Sequence, residues 1–92
     1  MKIDIDKLKC FSLSPKHNQT LHRIPLTSYM EKIILGKDDE VNIPQDNVRL
    51  LLDKNVLPPM IYVHVNNEFA AQYTYYDKEF SKRSNLEIED ME

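Results

Sequence analysis

The chain predicts an α+β domain: a small antiparallel sheet with a C-terminal β-hairpin at about residues 60–76, and two short helices packed on one face. Three observations carry that prediction. Ile61, Val63 and Val65 alternate with Tyr62 and His64, the period-two pattern of a half-buried strand. Asn66-Asn67 follows at once, and asparagine accepts the positive φ of a two-residue hairpin turn better than most residues. Met30, Ile33 and Ile34 fall on one side of a helix between Ser28 and Gly36.

The elements follow in order. Ile3 and Ile5 alternate with Lys2, Asp4 and Asp6, which predicts a first strand; Phe11 and Leu13 alternate with Cys10, Ser12 and Ser14, which predicts a second or an extension of the first. Ser14 to Gln19, "SPKHNQ", reads as a loop, because proline lacks a donor and asparagine suits turns. Leu21 to Leu26 reads as a short strand, placed at an edge by Pro25. Ser28 and Glu31 have the spacing of a capping box, and Gly36, the only glycine, suits a left-handed C-cap. Lys37 to Glu40, "KDDE", is a solvated loop. A second helix is predicted from Asn42 to Asn55, with Pro44 in its first turn and Val48, Leu51 and Leu52 on one side. Pro58 and Pro59 forbid its continuation.

The hairpin then pairs Val65 with Glu68, Val63 with Ala70 and Ile61 with Gln72. On its other side His64 meets Phe69, Tyr62 meets Ala71 and Met60 meets Tyr73. One side is aliphatic and small. The other gathers Tyr62, His64, Phe69, Tyr73 and Tyr75 as candidate partner-binding residues. The aliphatic side is the natural complement of Met30, Ile33, Val48, Leu51 and Leu52. The reverse arrangement keeps the tyrosines in the core with their hydroxyls at the rim.

Composition bounds the function. The chain has 92 residues, 41% hydrophobic and 29% charged, which suits one domain. Residues 1–83 are expected to form it, and 84–92 to be an acidic flexible tail. Glu87, Glu89, Asp90 and Glu92 lie in that tail, and the body carries 12 basic and 11 acidic residues. No apolar run suits a membrane span, and the N-terminus lacks the apolar stretch of a secretory signal; a cytoplasmic setting is expected. One glycine excludes a glycine-rich phosphate loop and a nucleophile elbow. Cys10, the lone cysteine, excludes an internal disulfide and is expected to be a buried structural thiol. His17 and His22 are expected to be solvated loop residues. Neither they nor the acidic run Asp38–Glu40 has the ligand spacing of a metal site. No cofactor is expected.

The order "IPL", a helix, then "VLPPMIYVHV" resembles the opening of ParB-type and sulfiredoxin-like domains. Those continue into a nucleotide motif containing glycine and arginine. Here the matching stretch reads "AAQYTYYDKEF", with neither, so no nucleotide chemistry carries over. The Lys-, Asn-, Ile-, Asp- and Tyr-rich, glycine-poor composition resembles small accessory proteins of phages and other mobile elements. That resemblance implies an inhibitor or modulator of a host protein or defence complex.

The expected function is therefore a non-enzymatic protein-binding module, its partner a host protein or a second copy. A single-stranded nucleic-acid module is the second reading, ranked lower because base-stacking platforms need a basic groove. A small enzyme without a recognisable motif is the third.

Overall fold

A computed structural model of the chain describes residues 2–86. Five strands form one antiparallel sheet in the order β1-β5-β4-β3-β2: β1 Leu8–Leu13, β2 Glu40–Ile43, β3 Val48–Asp53, β4 Met60–Val65 and β5 Glu68–Tyr75. Short helices accompany it among the described residues: α1 Asn18–Arg23, α2 Leu26–Leu35 and α3 Lys78–Ser81. The architecture is the α+β one that the sequence predicts. No helix among the described residues is long and apolar enough to cross a membrane.

The core lies on one face of the sheet. Ile61, Val63 and Val65 meet Val48 and Leu50 from β3, and Met30, Ile33 and Ile34 come down from α2. All are buried, most of them completely. The hairpin's aliphatic side is thus the covered one. Asn66 and Asn67 turn the hairpin with φ of 53° and 66°, as their side-chain chemistry predicts.

Several elements differ from the sequence reading. Residues 42–55 hold no helix: Glu40–Ile43 and Val48–Asp53 are antiparallel strands, joined by a 3₁₀ turn at Pro44–Asp46 and a left-handed Asn47. Val48, Leu51 and Leu52 fit a helical stripe, but Val48, Leu50 and Leu52 fit period two equally well. Pairing against β4 selects the latter. The predicted edge strand Leu21–Leu26 is instead the end of α1, a break at Ile24-Pro25, and the start of α2. Leu21 and Ile24 are buried one helical turn apart, and Pro25 starts a helix as readily as it ends a strand.

The N-terminal Ile3–Ile5 alternation forms no strand. Asp4 accepts from the Asp6 backbone at 3.0 Å and caps a 3₁₀ turn at Ile5–Lys7, which leaves Ile5 outside and Ile3 in the core. α2 begins two residues before Ser28, so the capping box does not form; Glu31 accepts from the Ile3 backbone at 3.3 Å instead. Gly36 ends α2 with φ −84° and ψ −170°, an extended conformation and not a left-handed one. Its absent side chain still matters, because a Cβ there would run into the Lys32 carbonyl oxygen.

Of the segment 84–92, Ser84 to Leu86 are described. The Ser84 hydroxyl is buried and donates to the Val56 carbonyl at 2.8 Å, and the Asn85 N–H donates to the Lys54 carbonyl at 2.7 Å. The flexibility expected of residues 87–92 lies outside the described residues.

Candidate functional site: the uncovered face of the sheet

The register of β4 against β5 decides which aromatics point where. Val65 pairs with Glu68 and His64 with Phe69, as the turn dictates. Val63 then pairs with Ala71, not Ala70, and the shift persists through Tyr62–Gln72, Ile61–Tyr73 and Met60–Thr74. Ala70 is an extra residue, a β-bulge that reverses the alternation of everything after it. Ala70 and Ala71 are both buried.

The five candidate residues therefore do not share a face. Tyr62, His64 and Phe69 point away from the core. Tyr73 sits opposite Ile61, and Tyr75 opposite Leu8, on the core side. Tyr75 is buried, stands edge-on to Phe80 with centroids 5.9 Å apart, and accepts a 2.8 Å hydrogen bond at its hydroxyl from the Asp4 backbone. Tyr73 packs on the core cluster. Both serve the fold, and their assignment to a binding surface is corrected accordingly. Sequence alone registers two-residue turns well but gives no signal for a bulge between two alanines.

The strand pairings place other residues on the open face. Arg49 lies opposite His64 and Leu51 opposite Tyr62, while Gln72 and Met60 extend the row. Tyr76 follows Thr74 by two residues and donates its backbone N–H to the Lys7 carbonyl at 2.9 Å. Its ring meets Phe11 edge-on, with centroids 6.4 Å apart. A second bulge, between Cys10 and Ser12, releases Phe11 from direct pairing. Phe11 is 50% exposed, Tyr76 48% and Phe69 41%; Leu51, Met60, Tyr62 and His64 are half-buried.

The lower end of this face is closed by the β3–β4 connection, where the buried Thr74 hydroxyl donates to the Pro59 carbonyl at 2.7 Å.

No family model, curated protein or solved structure matches the chain. The reading of the site rests on its own chemistry.

Charge on the open face is sparse. Arg49 pairs with Glu40 at 3.5 Å across β3 and β2, and Lys9 has no ion pair among the described residues. Burial, then the nearby Asp53 carboxylate, pushes the Tyr62 hydroxyl above its ordinary value, so it is a neutral donor at any physiological pH. The face offers rigid aromatic area edged by hydroxyl, amide and imidazole groups.

The remaining candidate groups sit elsewhere. Cys10 is exposed, contrary to the expected burial, and lies on β1, an edge strand of the sheet. It faces Tyr73 across β1 and β5. Burial first, and Cys10 second, push the Tyr73 hydroxyl up to about 12. His17 is buried rather than solvated, with Nε2 3.0 Å from the Glu68 carboxylate, which Lys16 also approaches at 2.9 Å. Lys16 and then His17 hold Glu68 below the usual carboxylate range. Among the described residues no three His, Cys, Asp or Glu side chains converge as metal ligands.

Proposed function

We propose that the protein is a non-enzymatic binding module that docks a partner protein on the uncovered face of its sheet. Tyr62, His64 and Phe69 form the centre of the surface, and Phe11 and Tyr76 extend it. The single observation behind this reading is the sidedness of the sheet. One face carries the core, while the other leaves Phe11, Phe69 and Tyr76 each near half exposure. Contiguous apolar surface on a small chain marks an interaction site, and tyrosine supplies large, rigid contact area that also hydrogen-bonds. The resemblance in composition to accessory proteins of mobile elements makes a host protein the target, which the module inhibits or modulates.

The test is capture of the partner from the native host, followed by its affinity for Tyr62→Ala and Phe69→Ala. Each substitution is expected to weaken binding by upwards of ~1–2 kcal/mol while the thermal midpoint stays put. Unchanged affinity in both variants removes the face from consideration.

A second reading draws on Arg49, His64 and Lys9, which border the same aromatics: single-stranded nucleic acid stacked on the face. A titration with single-stranded oligonucleotides over a salt series separates the two. Affinity that falls steeply with salt favours nucleic acid.

A further inference from the structure

Beside Phe11 and Tyr76 the open face runs into a cleft. Leu57 and Pro58 reach it from the β3–β4 connection, Tyr76 from the end of β5, and Asp77, Lys78 and Ser81 from α3 and its cap. Its volume is about 300 Å³. That is the small end of ligand cavities, with room for one large apolar side chain. Leu57 is 43% exposed and Tyr76 48%, so the described residues leave its apolar walls uncovered.

The charges around the cleft are unequal. Asp77 is the one carboxylate that lines it, and both of its oxygens are engaged: one accepts from Lys7 Nζ at 3.0 Å, the other from the Glu79 N–H at 3.1 Å. Lys78 is exposed and has no ion pair among the described residues. Lys9 is in the same position. It lies opposite Thr74, two residues before Tyr76, and precedes Phe11 by two on β1. A cation approaching the cleft meets two ammonium groups and no free carboxylate lining it. An anion meets two ammonium groups that nothing neutralises. The chain as a whole carries −3, so this patch is opposite in sign to the molecule.

We infer that the cleft binds an acidic segment of a partner protein, which inserts one large apolar side chain against Leu57, Pro58 and Tyr76 while its carboxylates meet Lys78 and Lys9. The apolar walls supply the anchor, and charge complementarity selects the segment that carries it. Nucleic acid fits less well. A strand carries a phosphate at every nucleotide and needs a continuous basic groove, whereas two lysines beside a neutralised Lys7–Asp77 pair form an isolated patch. The inference rests on the proposed docking of a partner protein, whose surface shares Phe11 and Tyr76 with the cleft, and it names the chemistry of the segment that docks there.

The experiment is a titration of the isotope-labelled full chain with the blocked peptide Glu-Glu-Phe-Glu-Glu, read by amide chemical shifts. Shifts are expected at Leu57, Tyr76 and Lys78, while Val65 and Asn66 at the far end of the hairpin stay put. Lys-Lys-Phe-Lys-Lys and Glu-Glu-Ala-Glu-Glu should each bind more weakly by about fivefold or more. Lys78→Glu spares the fold, because the first turn of a helix favours an acid. Combined with Lys9→Glu, it should lose the acidic peptide and gain the basic one, a swap that a disturbed fold does not produce.

Silence at those amides overturns the inference. So does equal affinity for the acidic and basic peptides, or tighter binding of oligothymidylate at the same amides. The same shifts appearing with protein concentration alone assign the cleft to a second copy and overturn it too. For a captured partner, affinity that falls in Phe69→Ala but not in Lys78→Glu sinks this inference and leaves the docking face standing. Affinity that falls in Lys78→Glu but in neither Tyr62→Ala nor Phe69→Ala supports the cleft and removes the centre of the proposed surface.

Discussion

Asn47 and Asn66 tie two turns of the sheet together. The Asn66 N–H donates to the Asn47 carbonyl at 3.0 Å, and the Asn47 side-chain amide donates to the Asn66 side-chain oxygen at 3.0 Å. Both residues have φ of 53°, in the left-handed region where most side chains are penalised. Asn47→Ala is therefore expected to lose about 1–2 kcal/mol from the backbone conformation, with the lost amide bond adding to it. Asn47→Gly keeps the conformation and loses only the bond, so its urea midpoint should lie between those of Asn47→Ala and wild type.

Gly36→Ala tests a close approach rather than a turn. The φ of Gly36 suits any residue, but its Cβ would meet the Lys32 carbonyl oxygen, to which the Gly36 N–H donates at 3.0 Å. The end of α2 must shift to admit a methyl group. A loss of about 1–3 kcal/mol is expected in chemical denaturation. A neutral substitution would show that the helix end yields freely.

The aromatic residues should separate cleanly by stability. Tyr75→Ala empties a buried site against Phe80 and is expected to cost about 3–5 kcal/mol. Tyr75→Phe leaves the Asp4 N–H without its acceptor, at about 1 kcal/mol. Phe69→Ala on the open face should stay within about 0.5 kcal/mol. Thermal midpoints of the three variants check the inward and outward assignment directly.

Tyr73 makes the fold sensitive to alkali. Its hydroxyl is pushed up to about 12 from an ordinary 10.0, first by burial and then by Cys10. Between those values the unfolded chain gives up this proton while the folded chain keeps it. The unfolded state then binds fewer protons, so stability falls as pH rises through that window and is unaffected below it. Tyr62 is shifted in the same direction and adds to the slope. Tyr73→Phe should flatten the alkaline decline of the thermal midpoint, and the phenolate absorbance of the wild type should show a late-titrating tyrosine that the variant lacks.

The hairpin and the apolar stripe of α2 were legible because each has one local cause. Asn66-Asn67 has few conformations besides a tight turn, and Met30, Ile33 and Ile34 fit only helical spacing. Residues 40–53 were not legible in the same way. "VRLLLD" is apolar at positions that serve a helix or a strand, and the choice falls to β4, a partner distant in sequence. Leu21 and Ile24 pose the same ambiguity. The open face was half legible: His64 and Phe69 lie before the shift in register and were placed by the turn, and Tyr62 follows from the unbroken alternation of β4, whereas Tyr73 and Tyr75 lie beyond the shift on the bulged strand. Phe11 and Tyr76 were missed because their exposure follows from β1 being the last strand, a property of strand order that local pattern does not encode.

The extra residue at Ala70 gives β5 two reading phases. Upstream of it, odd-numbered positions look outward; downstream, even-numbered ones do. Deleting one alanine would remove the bulge and put the whole strand in a single phase: Ala71 would follow Phe69 directly and still face Val63, so Tyr73 and Tyr75 would stay inward and Gln72 outward, with the turn and β4 unaltered. Straightening the strand with both alanines kept would do the opposite, setting Ala70 against Val63 and turning Tyr73 and Tyr75 to solvent. The extra residue thus absorbs a mismatch of one position between the turn and the inward tyrosines, as a spacer washer lets two parts of unequal length close on one bolt.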